Sequence, residues 1–548
     1  MANRVKAILE HFLTIIRNRV PAMMNRQASA MTSDSGRPRV SCRRAREGGR
    51  RALVLAIAVV VGSILSPGTS AAQLWAGVAR ADITSTQAGP VNDRLYVKAL
   101  VLKQDATTAA IITVDAVAIG QIGPIGNDYL ARVRSRLQNE LGIVPANVLV
   151  NASHCHGATC ADVDERTFHA VKEAAQNMVP VLVGAGTGHE SRIMENRRLR
   201  LKDGSEADVR HAYSLPPDEE VAGVGPVDPE IGLLRLDRKD GRTLAVVYNF
   251  ACHPILGVPG GGNTADISGF ASRVIEDNLS EGSVALFLQG CGGDINPVFY
   301  KDVDHPRNAE TLGNMLGLSA LQGLRKVRSR DDGRLRVINE VVKLPRADLA
   351  RRIAAMEGEQ ARLVRSLKGT SLNLKTFLPL AVKYGLAPGY PSYYSHGYLH
   401  EKAMGRDDLS KLDAENIRNM KEYIGNIHGM EELTRVETNL ELLRKHQADN
   451  VAAREKTIDV ELVALRVGDF VLVTFPGELT VRTGLDIKKA SPHKLTFVAG
   501  CTNGYIYYAP TAEQLRNSGA AQEDCDCLLA PEWQELYEKK VAEMLREL

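Results

Sequence analysis

Two histidines, His154 and His156, stand two residues apart just after the apolar run 148–150. Residues i and i+2 of a strand point to the same face, so the spacing predicts that both imidazoles converge on one point. A third histidine, His253, and a glutamate, Glu478, each follow another apolar, strand-like run. Two histidines and one carboxylate, with one coordination position left open, are the ligand set of hydrolytic zinc sites. The joint pattern therefore predicts a metal site.

Each of these signals also has a plain structural interpretation. A His-x-His pair is often two hydrogen-bonded loop residues, His253-Pro254 is typical of a turn, and Glu478 after Pro-Gly carries little information alone. What favours the metal site is a shared position, because each residue follows a β-rich run, where open α/β sheets keep their sites. Cys155 and Cys252 are interpreted as small buried hydrophobic residues rather than ligands.

The segments that must position these residues predict an α/β fold of mixed β-sheets flanked by helices. Strands are predicted at 96–102 and 109–115, and an amphipathic helix at Tyr129–Leu141 precedes the strand that leads to the two histidines. A second helix is predicted at 162–179. This alternation of strand and helix is typical of α/β architecture.

Residues 345–455 change character and predict a helical, charged insertion with an aromatic-rich interruption at 383–398. The interruption is interpreted as solvated decoration, with a cover over a ligand as the alternative. The sheet is expected to resume at 458 in a hairpin that turns at Gly468. The glycine-rich segment 289–297 predicts either a loop over a site or a plain turn, and it lacks the Gly-Lys-Ser/Thr of a phosphate-binding loop.

The charge of the chain is unevenly distributed. Residues 1–51 hold twelve Lys or Arg and three Asp or Glu, a local net charge of +9, and residues 52–72 are uncharged. Because the whole chain has a net charge of +3, the remainder has a net charge of −6. A mildly acidic globular part argues against nucleic acid as a partner.

The uncharged apolar run after Arg50-Arg51 ends in small residues and predicts a signal peptide at 50–72, with cleavage before Gln73. The run is short for a bilayer span. The preceding residues 1–49 form a basic extension, interpreted as disordered or as sequence upstream of the true start, for which Met31 is one alternative. We therefore expect an exported protein, periplasmic or secreted.

Five motifs in a fixed order carry a family resemblance. They lie at 151–157, 249–254, 289–297, 476–480 and 503–511, and together they resemble the catalytic domain of the neutral/alkaline, non-lysosomal ceramidases. The resemblance runs from about Ala76 onward and implies a ceramidase-like zinc hydrolase domain at 73–548. No stretch matches the C-terminal β-sandwich domain of that family.

The resemblance implies a metal site and a set of catalytic residues. One zinc ion per chain would be bound by four residues: His154, His253, Glu478 and Tyr508. The implied catalytic residues are His156 for proton transfer, Arg197 for stabilising the oxyanion, and Tyr505, the earlier tyrosine of the Asn-x-Tyr-x-x-Tyr pattern. Asp115 and Asp294 are candidates for orienting the ligand histidines, with loop capping as the alternative.

This sequence departs from the family pattern at two positions that are expected to affect substrate recognition. The family loop Gly-Asp-Val-Ser-Pro here has Asn296 in place of its serine, and an amide side chain cannot act as a nucleophile. A second family tyrosine has no counterpart at 520–524. Zinc-dependent hydrolysis is therefore better supported than ceramide as the substrate.

The predicted function is zinc-dependent hydrolysis of the amide bond of ceramide-like N-acyl lipids to a free fatty acid and a sphingoid-type amine. One alternative is a zinc hydrolase of another acyl amide or ester, such as an N-acyl amino acid. The other is a non-catalytic secreted binding protein. The expected partner is a lipid or small acyl-amide substrate, with peripheral contact to a membrane surface.

Overall fold

The computed structural model describes residues 73–209, 215–300, 302–391, 395–517 and 521–548. The predicted basic extension and signal peptide, residues 1–72, lie outside the described residues.

Nineteen strands and eleven helices make up the described part of the chain. The strands are β1 (Trp75–Asp82), β2 (Tyr96–Gln104), β3 (Thr107–Val114), β4 (Val148–Ala152), β5 (Val179–His189), β6 (Met194–Asn196), β7 (Arg198–Leu201), β8 (Glu206–Asp208), β9 (Val221–Val224), β10 (Glu230–Arg238), β11 (Thr243–Phe250), β12 (Val284–Gln289), β13 (Ile295–Pro297), β14 (Leu335–Pro345), β15 (Thr457–Val467), β16 (Phe470–Thr474), β17 (Glu478–Leu479), β18 (Thr496–Ala499) and β19 (Tyr508–Ala509). The helices are α1 (Tyr129–Leu141), α2 (Val163–Gln176), α3 (Asp266–Asp277), α4 (Ala309–Leu324), α5 (Ala350–Ser366), α6 (Leu374–Leu386), α7 (Ser395–Ala403), α8 (Asp408–Ala452), α9 (Val481–Ala490), α10 (Ala512–Leu515) and α11 (Trp533–Glu547).

Two mixed sheets form the centre of the fold. The larger has the strand order β12-β11-β10-β5-β1-β2-β3-β4, and the smaller has the order β14-β15-β16-β18. In the larger sheet the two terminal pairs, β3–β4 and β11–β12, are parallel. One apolar core contains Leu100 and Val247 of the larger sheet together with Leu465 and Phe470 of the smaller sheet. The two sheets therefore pack face to face.

Helices cover the outer face of each sheet. Phe168 of α2 and Val133 of α1 pack in the core of the β1–β4 half, and α3 and α4 cover the β10–β12 half. Trp533 of α11 packs in the core beside the smaller sheet. Strands such as β11 and β12 are buried along their whole length because both of their faces are covered. The predicted α/β class with mixed sheets flanked by helices is confirmed.

The boundaries of the elements agree with the sequence pattern where a local signal marks them. Helix α1 has the predicted bounds and ends at Gly142, which adopts the left-handed conformation (φ 68°) that favours glycine. The smaller sheet turns at Gly468 (φ 60°), as predicted. Helix α2 ends at Gln176 rather than near 179, because Val179 already begins β5.

The predicted insertion at 345–455 corresponds to four helices, α5 to α8. The longest, α8, has 45 residues, and five of its six buried side chains lie between Val436 and His446. Leu440 packs with Leu363 of α5, and Leu443 packs with Cys525, which lies outside the insertion. The C-terminal half of α8 therefore attaches the insertion to the rest of the domain.

Candidate metal centre

Three side chains meet just beyond the ends of separate strands. His154 follows β4, His253 follows β11, and Glu478 begins the two-residue strand β17. One ligand atom from each of these residues lies within 4.8 Å of the others, and all three residues are buried. The fold thus brings together two imidazole nitrogens and a carboxylate, which can hold a metal ion.

The local backbone at His154 differs from the strand geometry predicted for it. Strand β4 ends at Ala152, and His154 adopts a left-handed conformation with φ of 67°. Strand alternation therefore does not apply to His154 and His156, and of the two only His154 belongs to the group that can hold a metal ion. His156 is exposed, and its ring centroid lies 5.7 Å from that of the buried His154.

Backbone carbonyls orient both buried imidazoles. Nδ1 of His154 lies 2.7 Å from the carbonyl oxygen of Val117, and Nδ1 of His253 lies 3.0 Å from that of Ile295. A carbonyl oxygen can only accept, so each Nδ1 donates and carries a proton. In the neutral ring, Nε2 then presents a lone pair toward the centre, as a metal-binding histidine does.

The contacts of Glu478 call for a cation at the centre. Its Oε2 lies 2.8 Å from Nε2 of His253 and 3.3 Å from Nε2 of His154. If His253 is neutral with its proton on Nδ1, then its Nε2 and the carboxylate oxygen are two acceptors facing each other. A metal ion satisfies both groups, so the donor set fits a bound metal.

The electrostatics of the three residues centre on the negative charge of Glu478. Burial, assisted by the positive charge of Arg197, lowers the pKa of His253 to about 4. Burial raises the pKa of Glu478, but the charge and hydrogen bonds of the two histidines outweigh it and hold that pKa well below its usual value. Burial lowers the pKa of His154, and the negative charge of Glu478 reverses this and raises that pKa well above its usual value. The carboxylate thus stays ionised and attracts positive charge.

Two tyrosines from one loop adjoin the cluster. The hydroxyl of Tyr505 donates to Oε1 of Glu478 at 2.5 Å. Tyr508 pairs in register with Glu478 in the parallel β17–β19 pair, and its ring stacks on that of His253 with centroids 6.5 Å apart. Gly293 packs directly against the backbone of Glu478. A larger residue would not fit there, because a Cβ on Gly293 would lie 2.8 Å from the carbonyl oxygen of Glu478. Tyr508 thus stands beside the cluster, and Tyr505 fixes the carboxylate.

Arg197 is fully buried and its guanidinium is held by protein groups. Its Nε donates to Oε1 of Glu523 at 2.6 Å, and its Nη1 donates to Oδ1 of Asn296 at 3.1 Å. Its Nη2 donates to the carbonyl oxygen of Gly293 at 2.5 Å and lies 3.3 Å from the hydroxyl of Tyr508. This geometry suits Arg197 to positioning Tyr508. The sequence pattern did not single out Glu523, its buried partner.

Asp115 and Asp294 do not orient the histidines. Asp115 accepts the backbone N–H of Tyr96 at 2.9 Å. Asp294 accepts the backbone N–H of Val481, at the start of α9, at 2.8 Å. The hypothesis that these aspartates hold the ligand rings is therefore wrong, and the alternative of loop and helix capping describes them.

The seven cysteines in the described residues form no disulfide. Cys155 and Cys252 are buried, and neither belongs to the group that can hold a metal ion. Sγ of Cys501 lies 3.8 Å from Nδ1 of His154. The interpretation of Cys155 and Cys252 as small buried residues agrees with their surroundings.

Comparison with solved structures identifies the fold. The crystal structure of neutral ceramidase from Pseudomonas aeruginosa has a TM-score of 0.54 at 15% sequence identity, covering 87% of this chain and 75% of that chain. A ceramidase complexed with C2 has a TM-score of 0.53 at 18% identity, covering 87% and 76%. No protein-family model and no curated protein matches the sequence. The resemblance drawn from the sequence motifs is confirmed at the level of the fold.

Proposed function

We propose that this chain, whose fold is that of the neutral ceramidases, is a zinc-dependent hydrolase of ceramide-like N-acyl lipids. The reaction would cleave the amide bond and release a free fatty acid and a sphingoid-type amine. The observation that carries the proposal is the buried convergence of His154, His253 and Glu478 on this fold.

The residues that would hold the metal are His154, His253, Glu478 and Tyr508. Imidazole nitrogen and carboxylate oxygen are ligands that zinc accepts readily. When bound, zinc would supply Lewis acidity and lower the pKa of a water molecule toward neutrality. The cation also favours deprotonation of a coordinating phenol, which is what Tyr508 requires as a ligand.

The remaining side chains would orient groups and move protons. His156 is exposed beside the buried His154, so its ring can exchange protons with a bound substrate and protonate the leaving amine. Tyr505 keeps the carboxylate of Glu478 in place through its hydrogen bond. Arg197 places the hydroxyl of Tyr508, and its positive charge favours negative charge that develops nearby.

A second candidate is hydrolysis of another acyl amide, such as an N-acyl amino acid. The observation that favours it is the setting of Asn296, which is buried and accepts from Nη1 of Arg197. The side-chain amide of Asn296 stands where the ceramidases carry a serine. The substrate would therefore meet an amide instead of a hydroxyl, while the metal-binding side chains are retained.

We also propose that the protein is exported after cleavage near Gln73, on the strength of the apolar segment that precedes it. Sequencing the N-terminus of exported protein tests this. A chain that still begins before Arg50 would contradict it.

Metal analysis of the purified protein tests the proposed site. We expect about one zinc per chain in the wild type, and strongly reduced zinc in His253→Ala and Glu478→Ala. His169→Ala serves as the matched control, because His169 is an exposed histidine on α2, away from the cluster. Full zinc content in both cluster variants would refute the site.

A further inference from the structure

Helix α6 has an apolar sequence, but the fold gives it almost no core. Only Tyr384 among its residues is buried. Leu374, Leu378 and Leu386 are 60%, 53% and 53% exposed. Exposed leucines concentrated on one short helix indicate a surface that binds an apolar partner, either another protein or a membrane.

One face of α6 is fastened to the long helix α8. The hydroxyl of Tyr384 donates to Oδ1 of Asp413 at 2.7 Å, and the ring of Phe377 contacts that of Tyr423 with centroids 4.9 Å apart. These contacts hold α6 on α8 by aromatic side chains and leave its leucines outside. The exposed leucines are thus a property of the folded insertion.

The neighbouring helix α7 extends the same kind of surface. Leu399 is 57% exposed, and Met404, just after α7, is 62% exposed. We call these side chains the α6–α7 surface: Leu374, Leu378, Leu386, Leu399 and Met404.

The charge around this surface is positive on balance. Residues 374–404 contain three lysines and one acidic residue, Glu401, although the globular part of the chain is acidic overall. Lys375 and Lys383 lie on α6 among the leucines. Apolar side chains interleaved with lysines and tyrosines are the composition of segments that lie in the interface of anionic membranes.

The charge also discriminates between occupants. A second copy of the chain would bring two surfaces of net positive charge together, with only Glu401 of each copy to pair their lysines. An anionic bilayer offers phosphates to the lysines and hydrocarbon to the leucines. In the described ranges, no helix is long and apolar enough to cross a membrane.

We propose that the α6–α7 surface docks the protein onto anionic lipid bilayers. Helix α8 runs from this surface to the loop that carries Tyr505 and Tyr508, since Nζ of Lys445 donates to the hydroxyl of Tyr507 in that loop at 3.0 Å. Tyr423 and Lys445 lie about 33 Å apart along the helix, at roughly 1.5 Å per residue. The docking surface is thus separate from the catalytic residues, and the proposal does not depend on the reaction at the metal centre.

Vesicle sedimentation of the full mature chain tests the proposal. Wild-type protein should sediment with vesicles of phosphatidylcholine and phosphatidylglycerol, and more weakly with phosphatidylcholine alone or at high salt. Leu374→Ser/Leu378→Ser should reduce the partition coefficient roughly tenfold or more. Lys375→Glu/Lys383→Glu should abolish the preference for anionic vesicles.

The matched control is Leu318→Ser/Leu536→Ser, which alters leucines that are 51% and 42% exposed on α4 and α11. It should bind vesicles like the wild type. The circular dichroism melting curve of each variant verifies its folding. The proposal would be overturned if the wild-type protein does not bind anionic vesicles. It would also be overturned if the control variant loses as much vesicle binding as the α6 variants. A dimer in solution that only the α6 variants dissociate would overturn it in favour of a second copy as the occupant.

Discussion

Glu478 and Tyr508 lie opposite each other, in register, in the parallel pair formed by β17 and β19. The backbone N–H of Glu478 donates to the carbonyl oxygen of Tyr507 at 3.0 Å, which fixes this register. Gly477 makes the approach sterically feasible, because a Cβ there would lie 2.6 Å from the same oxygen. A strand pair of four residues thus sets two of the four proposed ligands relative to each other.

Replacing His156 by alanine should lower kcat by about 10²- to 10⁴-fold while zinc remains bound. The reason is that His156 is exposed and lies outside the group that can hold the metal. Parallel kinetics and metal analysis of the variant provide the check, with His169→Ala as an unaffected control. Loss of zinc together with activity would mean that His156 is itself a ligand.

Replacing Arg197 by methionine should destabilise the protein by about 1–3 kcal/mol, because the buried carboxylate of Glu523 loses its hydrogen bond from Nε and keeps the longer contact, 3.4 Å, with Nη1 of Arg198. Adding Glu523→Gln should recover part of this loss by removing the charge. Urea unfolding of the two variants measures both effects. Equal stability of Arg197→Met and the wild type would contradict a stabilising pair between Arg197 and Glu523.

Asp115 should make stability fall with increasing pH. Burial raises the pKa of this carboxyl from 3.8 to about 6, despite the opposing charge of Lys98. Because the folded-state pKa is the higher one, its contribution is fully present below pH 3.8 and is lost as the pH rises through 6. At pH 7 the ionised side chain then costs on the order of 1–3 kcal/mol.

Asp115→Asn keeps an acceptor for the backbone N–H of Tyr96 and removes this titration. The difference in the free energy of unfolding between variant and wild type should grow in favour of the variant from pH 4 to pH 7, with zinc content unchanged. Asp105→Asn, at an exposed turn, is the control. A constant difference across this range would exclude Asp115 as the titrating group.

Ceramide should be a poorer substrate than smaller or more soluble acyl amides. The motif resemblance places Asn296 where the neutral ceramidases carry a serine, and a mismatched buried polar group costs on the order of 1–3 kcal/mol, or roughly 5- to 150-fold in specificity. The measurement is kcat/KM for a short-chain ceramide against a panel of N-acyl amines and N-acyl amino acids. Asn296→Ser should shift the ratio toward ceramide, and ceramide emerging as the best substrate of the wild type would contradict the expectation.

The sequence predicted the elements that carry their own local signals. Periodicity and Gly142 defined α1, and Gly468 marked the hairpin of the smaller sheet. The three residues of the metal cluster were identified because each stands just after a strand-like run. Their meeting depends on long-range packing of the two sheets, which the shared position after strand-like runs and the family resemblance both favoured but which no local signal specifies.

What the sequence missed is set by backbone geometry. The carbonyls of Val117 and Ile295 orient the two imidazoles, and every residue carries a carbonyl, so no residue type signals this role. The left-handed turn at His154 is invisible to a period-two pattern, which is why the strand was extended too far. Glu523 lies more than 300 residues from Arg197 in sequence, and only the fold brings them together.

Hydrolysis of a fluorescent short-chain acyl amide by the purified protein, before and after removal of metal by a chelator, tests the central claim most directly. We predict turnover by the wild type, loss of that turnover on chelation, and recovery when about one equivalent of zinc per chain is restored. Glu478→Ala should stay inactive at every zinc concentration. Turnover that survives complete removal of the metal, or a zinc-loaded protein that hydrolyses no acyl amide, would contradict the account.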